Sequence, residues 1–414
     1  MNNPLHSKIL NDAKELYQIA SAQSGRKNMW HWAEPILQSH RSSTDGDLEK
    51  MLHHAQEGWH IAGSYSRHNR SFGFVVEDLL NDLKRRGMDV NWLPAHIRES
   101  EMCSPNVKFF LRGRPLSTDF LYRLSILTTI NSKIEINRLN SALEIGAGLG
   151  TLAQCFKKFN PGLSYTIIDI PETLMFSYSF TRATFPESRI RYITDPAQMS
   201  NLEEWNQYDF TFIPYHLVPQ IPSRSFDIVC NTHSLGEMPQ EIVLEYMQLI
   251  QERLAVRYLY SANRYLEKSV EGMKPVTALP IDNRWETLHW EFCPQHTRID
   301  RAFIPTDLLS TLEYVGLRLH NSASDSTACS EISQQHYRAA CEAESVRGQQ
   351  WHYHMWESIR YQAQTENLST YVEFLGNASC QEYTYYANCL KNLGGKLPPV
   401  RPDSFYYNRP IAVY

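Results

Sequence analysis

The chain contains no run of about 18 apolar residues, so its 414 residues hold no expected membrane-spanning helix. Nor does it open with the apolar stretch of a secretory leader, since Met1 to Lys8 read Met-Asn-Asn-Pro-Leu-His-Ser-Lys. No CxxC pair occurs. The eight cysteines (Cys103, Cys155, Cys230, Cys293, Cys329, Cys341, Cys380 and Cys389) match neither a zinc ribbon nor a redox motif, and are expected to be reduced thiols of a cytoplasmic protein. A basic excess is also missing. Forty Lys and Arg against 45 Asp and Glu give a net charge of -5, which supplies no general attraction to DNA, RNA or anionic lipid. Neither a nucleic-acid nor a membrane partner is therefore expected. Low-complexity tracts and internal repeats are absent as well. What is present is ordinary globular composition, 42% hydrophobic and 21% charged, in a chain long enough for two or three domains.

Three segments emerge along the chain. Residues 1–116 read as a mainly helical region, with apolar residues three and four apart over Ile9–Ile19, Asp47–His60 and Phe74–Arg86, and Gly87 as a stop for the last. The polar, aromatic stretch Gly58 to Arg70 between them is a surface loop or a lid. Residues 117–322 alternate short apolar strands with helices. Helices are expected over Asp119–Ile130, Thr151–Phe159, from Pro171, over Pro239–Leu254 and over Thr306–Gly316. Strands are expected over Ser141–Ile145, Ser164–Ile168, Asp209–Ile213, Phe226–Cys230 and Tyr258–Ala262, with a short one over Leu317–His320. That alternation predicts a doubly wound α/β domain with a parallel sheet. Residues 323–414 read as a helical and irregular extension. Its His352 and His354 are two apart, a spacing that does not share a helix face, so no metal site is expected there and no metal ligand is assigned from the sequence, while carboxylates of distant segments leave Mg²⁺ dependence open.

The strongest chemical signal is Leu143-Glu144-Ile145-Gly146-Ala147-Gly148-Leu149-Gly150-Thr151. Glycines after a first strand let the backbone approach a ligand where a Cβ would clash, and the next helix offers free N–H groups. Asp169 ends the second strand, where a carboxylate can accept both hydroxyls of a ribose. Thr151 stands where a dinucleotide fingerprint has its third glycine. The pattern Glu-x-Gly-x-Gly-x-Gly instead suits a nucleoside with a cationic centre and an amino-acid tail, as in S-adenosylmethionine. A competing reading makes Asp169 an N-cap for the helix at Pro171.

The segment resembles class I S-adenosylmethionine-dependent methyltransferases, which have a Rossmann-like fold. The resemblance implies that Gly146, Gly148 and Gly150 line the methionine and ribose, that Glu144 anchors the loop or the tail, and that Asp169 holds the ribose diol. Taking Asp209–Ile213 as strand three places Tyr215, His216 and Leu217 near the adenine; taking Arg189–Ile193 instead would place Asp195 there. Strand four leads into Asn231-Thr232-His233-Ser234-Leu235-Gly236-Glu237-Met238, where the donor and the acceptor would meet, with Asn231 on the donor side. The Asn/Asp-Pro-Pro-Tyr/Phe of base and amide methylation is missing, so an oxygen acceptor fits better. His233 is then the first candidate for the base and Glu237 the second. Ser234 to Glu237 also has the form of a capping box.

From about Phe109 to Arg264 the chain resembles bacterial sugar O-methyltransferases of natural-product and surface-polysaccharide pathways. Leu143–Thr151, Tyr165–Leu174, the Phe226–Met238 block with its Ser-Leu-x-Glu-Met, and Tyr260–Tyr265 carry the resemblance. In that family a histidine often precedes the Glu, whereas here Gly236 does and His233 lies three positions earlier. The resemblance implies transfer of a methyl group from S-adenosylmethionine to a hydroxyl of a sugar or sugar-bearing small molecule, with Asn263 and Arg264 toward the acceptor. A homo-oligomer is compatible with it. Arg112 and Arg114 read as solvated or as partners of an acidic group. Rival readings are a nicotinamide-dependent enzyme, a non-catalytic donor-binding module, and a peptide, protein or RNA methyltransferase.

Overall fold

Apolar residues three and four apart build the first helices, as the spacing predicts. In the computed structural model α1 (Pro4–Gln23) buries Ile9, Leu10 and Ala13, α2 (Leu48–Glu57) buries Met51, Leu52 and Ala55, and α3 (Phe72–Arg85) buries Leu79 and Leu83. Gly87 ends α3 with φ +89°. The Gly87 N–H donates to the Lys84 carbonyl at 3.0 Å and the Met88 N–H to that of Leu83 at 2.8 Å. That pair of bonds is a Schellman cap, which needs a residue tolerant of positive φ. The structure describes residues 4–24, 47–57, 72–199, 205–264, 266–269, 272–275, 279, 281–282, 284–293 and 311–319, with a few helical residues between 331 and 357. The candidate loop or lid Gly58–Arg70 lies outside them. Contacts divide the chain into two units, 1–230 and 231–413.

In the first unit a hairpin follows the helices, β1 (Lys108–Leu111) paired antiparallel with β2 (Arg114–Ser117). Sequence patterning missed it. Arg112 and Gly113 form its two-residue turn with φ +49° and +78°, and arginine at the first position hides the usual Asn-Gly signal. Arg114 then hydrogen-bonds the Leu93 carbonyl. The Ser117 hydroxyl accepts the Phe120 N–H at 3.1 Å and so caps α4 (Thr118–Lys133).

Next come β3 (Ser141–Ile145), α5 (Thr151–Phe159), β4 (Ser164–Asp169), α6 (Pro171–Thr184), β5 (Ile190–Tyr192), β6 (Phe210–Pro214) and β7 (Ser225–Thr232). β3 pairs parallel with β4, β4 with β6, and β6 with β5, while the first part of β7 flanks β3 on its other side. The two candidates for strand three are thereby separated. Phe210–Pro214 pairs directly with β4, and Ile190–Tyr192 is a further strand at the edge. Leu143, Ile145, Ile167, Ile168, Phe212 and Ile213 are all buried along these strands. Each such side chain contributes about 1.5–3 kcal/mol of burial. Helices α1 and α2 pack on α6, and α4 packs on α3 and α5.

The strand interior also carries ionisable groups. Glu144 on β3 is 1% exposed and accepts the Tyr165 hydroxyl at 2.8 Å. Burial pushes its carboxyl up to about 7, against the pull of the Arg123 guanidinium. Because the unfolded chain ionises this group near its ordinary value of 4.5, its neutral form favours the fold at low pH. That contribution is lost as pH rises through 7. Glu144→Gln is therefore expected to be more favourable at pH 8 than at pH 5, by on the order of 3 kcal/mol at most. Urea unfolding of both chains at the two pH values measures this; an equal stability difference at both would contradict it.

In the second unit α7 (Gln240–Gln248) continues into a π-helical turn over Leu249–Arg253 and leads to β8 (Ala255–Arg264). A hairpin of β9 (Leu266–Ser269) and β10 (Gly272–Pro275) follows, then β11 (Trp285–Cys293) and β12 (Thr311–Arg318). β12 lies between β8 and β11 and is antiparallel to both. This corrects the expected helix over Thr306–Gly316, since residues 311–316 are strand and 306–310 lie outside the described residues. The leucines at three- and four-residue spacing imitate a helix, but two strand partners decide otherwise. Gly316 is not a helix stop either. A Cβ there would lie 2.7 Å from the Tyr314 hydroxyl, so glycine leaves room for that ring. No helix among the described residues is long and apolar enough to cross a membrane.

Candidate functional site

In the first unit the sequence-predicted donor residues collect at the carboxyl edge of β3, β4 and β6. Gly146, Gly148 and Gly150 all take positive φ (+72°, +59° and +89°), a backbone path open to glycine and costly for other residues. Gly150 is the N-cap of α5 and offers no side chain to it, so the first N–H groups of the helix are left for another acceptor. Its missing Cβ would also meet the Ser177 Cβ at 3.5 Å, so the turn packs closely on α6. Glu144, beneath the loop, has its carboxylate turned to Tyr165.

Asp169 closes β4 next to this loop. Its Oδ2 accepts the Gly148 N–H at 3.2 Å and its Oδ1 accepts the Ile170 N–H at 2.8 Å. The N-cap of α6 is Ile170, and no side chain caps that helix, so Asp169 braces the glycine loop and does not serve as a cap. Burial raises its carboxyl to about 7, opposed by the two backbone N–H bonds.

The third group stands beside Asp169. In the β4–β6 register Asp169 is opposite Pro214, and Tyr215, His216 and Leu217 follow at once in a 3-10 turn. Tyr215 and Leu217 are buried. His216 is half-buried; neither ring nitrogen has a hydrogen-bond partner, and burial lowers its pKa. A neutral imidazole offers one donor and one acceptor. Asp195, the alternative adenine neighbour, follows the edge strand β5 and accepts the Ala197 N–H. Sequence reasoning missed one group here. The Thr151 hydroxyl, at the start of α5, is buried without a partner, whereas in the sequence Thr151 stands out only as a departure from a dinucleotide fingerprint. Unpartnered polar atoms at Thr151 and His216, beside a loop of positive-φ glycines and a carboxylate, fit a polar nucleoside ligand.

In the second unit the residues after β7 form a braced turn. His233 has φ +58°, unusual for a non-glycine residue, and its N–H donates to the Ala262 carbonyl of β8 at 2.8 Å. Asn231 and Asn263, both fully buried, hold this turn. Asn263 Nδ2 donates to Asn231 Oδ1 and to Ser261 Oγ, both at 2.9 Å, and its Oδ1 accepts the Gly236 N–H at 3.2 Å. Asn231 in turn reaches Ser234 Oγ and the Leu235 N–H. Glu237 ends a 3-10 turn over Leu235–Glu237 that no side chain caps, and α7 starts only at Gln240. The capping-box reading of Ser234–Glu237 is therefore not realised. His233, Glu237 and Arg264 are all partly exposed.

No family model and no curated protein matches the chain. Among solved structures it is similar to the pyocyanin biosynthetic protein PhzM, at 13% identity over 48% of this chain, with a TM-score of 0.30. That match spans 58% of the length of PhzM. It is also similar to magnesium protoporphyrin IX methyltransferase from Synechocystis PCC 6803 with bound SAH, at 12% identity over 48% of this chain and 83% of that one, with a TM-score of 0.32. A third similar structure is mitomycin 7-O-methyltransferase MmcR, at 11% identity over 76% of this chain and 94% of that one, with a TM-score of 0.29.

Proposed function

We propose that the chain is an S-adenosylmethionine-dependent O-methyltransferase acting on a hydroxyl of a sugar or sugar-bearing small molecule. The observation that carries the donor assignment is the glycine loop of three positive-φ residues tied through the Gly148 N–H to the Asp169 carboxylate. Gly146, Gly148 and Gly150 would hold the methionine and ribose portion, Asp169 the ribose hydroxyls, and His216 with Tyr215 and Leu217 the base. Thr151 and the open N–H groups of α5 would take the remaining polar contacts. Bound S-adenosylmethionine supplies an electrophilic methyl on a sulfonium. The protein's own task is then to orient an acceptor hydroxyl and accept its proton.

His233 is assigned as that proton acceptor and Glu237 as its alternate. A histidine's ordinary pKa near 6.5 suits a base at neutral pH. Asn231 and Asn263 fix the His233 turn through the buried amide network, and Arg264, at the end of β8, is assigned to acceptor hydroxyls. The segment 117–322 carries donor binding and transfer on this reading, with 1–116 and 323–414 as its accessory regions. Incubating the full chain with methyl-labelled donor and a panel of glycosides, with peptides and RNA as controls, tests the proposal. Label is expected in an alkali-stable ether on a glycoside; label only in peptide or RNA would overturn it.

A further inference from the structure

Antiparallel β11 and β12 bring together residues that no sequence motif connects. In their register Glu291 lies directly opposite Glu313, and His289 opposite Val315. Strict alternation from Thr287 would turn His289 to the other face of the sheet from Glu291's cross-strand partner. His289 and Glu291, two apart on β11, share a face, and a register shift between Thr287 and His289 inserts one extra residue that brings both onto the face of Glu313. Bulges of this kind re-aim single side chains and occur preferentially beside functional sites. One nitrogen of His289 and one oxygen from each glutamate all lie within 4.8 Å of one another.

The charges of the grouping attract a cation. Two carboxylates directly opposite across a strand pair repel each other, and Glu313 is fully buried. The Tyr260 hydroxyl of β8 donates to Glu313 Oε1 at 2.7 Å, which orients that carboxylate. His289 Nε2 stands 3.7 Å from Glu291 Oε2, too long for a hydrogen bond. It is close to the separation of neighbouring ligands in a tetrahedral shell, about 3.4 Å for bonds of roughly 2.0–2.1 Å.

We infer that His289, Glu291 and Glu313 bind one divalent transition-metal ion, with Tyr260 as the outer partner of Glu313. The imidazole in the donor set selects zinc and its neighbours over magnesium or calcium. Three protein ligands leave a fourth position for water or an oxygen of a small molecule. Glu313 is opposite Ala262 of β8, the residue whose carbonyl holds the His233 N–H, so the ion belongs beside the strand that supports that turn. This site stands whether or not the donor reading holds.

The test uses the tag-free full chain, stripped with chelator and dialysed against Zn²⁺, with Co²⁺ as a spectroscopic probe. One equivalent of Zn²⁺ per chain is expected. Co²⁺ should give visible d–d bands without a thiolate charge-transfer band. His289→Ala is expected to weaken Zn²⁺ at least 100-fold, and Tyr260→Phe 10- to 100-fold. Glu291→Gln, on the partly exposed side of the cluster, repeats the test where loss of folding is not at issue. No stoichiometric binding would overturn the inference, leaving a protonated His289 to offset the carboxylates. A thiolate band, or unchanged affinity in both His289→Ala and Glu291→Gln, would also overturn it.

Discussion

Replacing His233 by alanine is expected to leave S-adenosylmethionine affinity within about twofold and to lower turnover by about 10²–10⁴, the usual worth of a positioned general base. The backbone complicates the choice of variant. His233 sits at φ +58°, where alanine is strained and asparagine is better tolerated. His233→Asn therefore keeps the turn, its N–H bond to Ala262 and the Asn231–Asn263 brace, and removes only the base. Both variants should lose turnover equally if proton acceptance is what His233 provides. Full turnover in His233→Asn would move the role to Glu237, and Glu237→Gln would then show the loss.

Asp169→Ala carries the second large effect. A carboxylate that accepts two hydroxyls makes two charge-assisted hydrogen bonds, each worth about 1.5–3 kcal/mol. Donor affinity should accordingly fall about 100-fold or more. The loss includes the bond from the Gly148 N–H, so Asp169→Asn separates the two parts by keeping an acceptor for the loop. The carboxyl's upward shift to about 7 adds a pH signature. Only the ionised form accepts from both hydroxyls, so affinity should rise between pH 6 and pH 8 in the native chain and stay flat in Asp169→Asn. Calorimetric titration across that range reads both effects; wild-type affinity in Asp169→Ala would remove the ribose assignment.

The donor half of the candidate site was legible because its chemistry is local. Gly146 to Thr151 and Asp169 belong to one βαβ unit, and the strand Ser141–Ile145 and helix Thr151–Phe159 fall where the apolar spacing and the glycine turn put them. The positive φ of all three glycines is what such a turn requires. Elements decided by distant partners were not legible. Thr311–Gly316 has helical spacing and becomes a strand because β8 and β11 take both its edges. The turn at Arg112-Gly113 lacks the residue that usually announces it. His289, Glu291 and Glu313 meet only through a register and a bulge, neither of which a linear pattern encodes. The roles of Asn231 and Asn263 depend equally on a long-range contact, here between the end of β7 and β8.

The central claim is the identity of the donor, and isothermal calorimetry of the full chain addresses it most directly. S-adenosylmethionine and S-adenosylhomocysteine are titrated in parallel, with NAD and NADP as controls. Saturable one-to-one binding of the first pair alone is the predicted result. Binding of a nicotinamide cofactor, with none of that pair, would contradict the account.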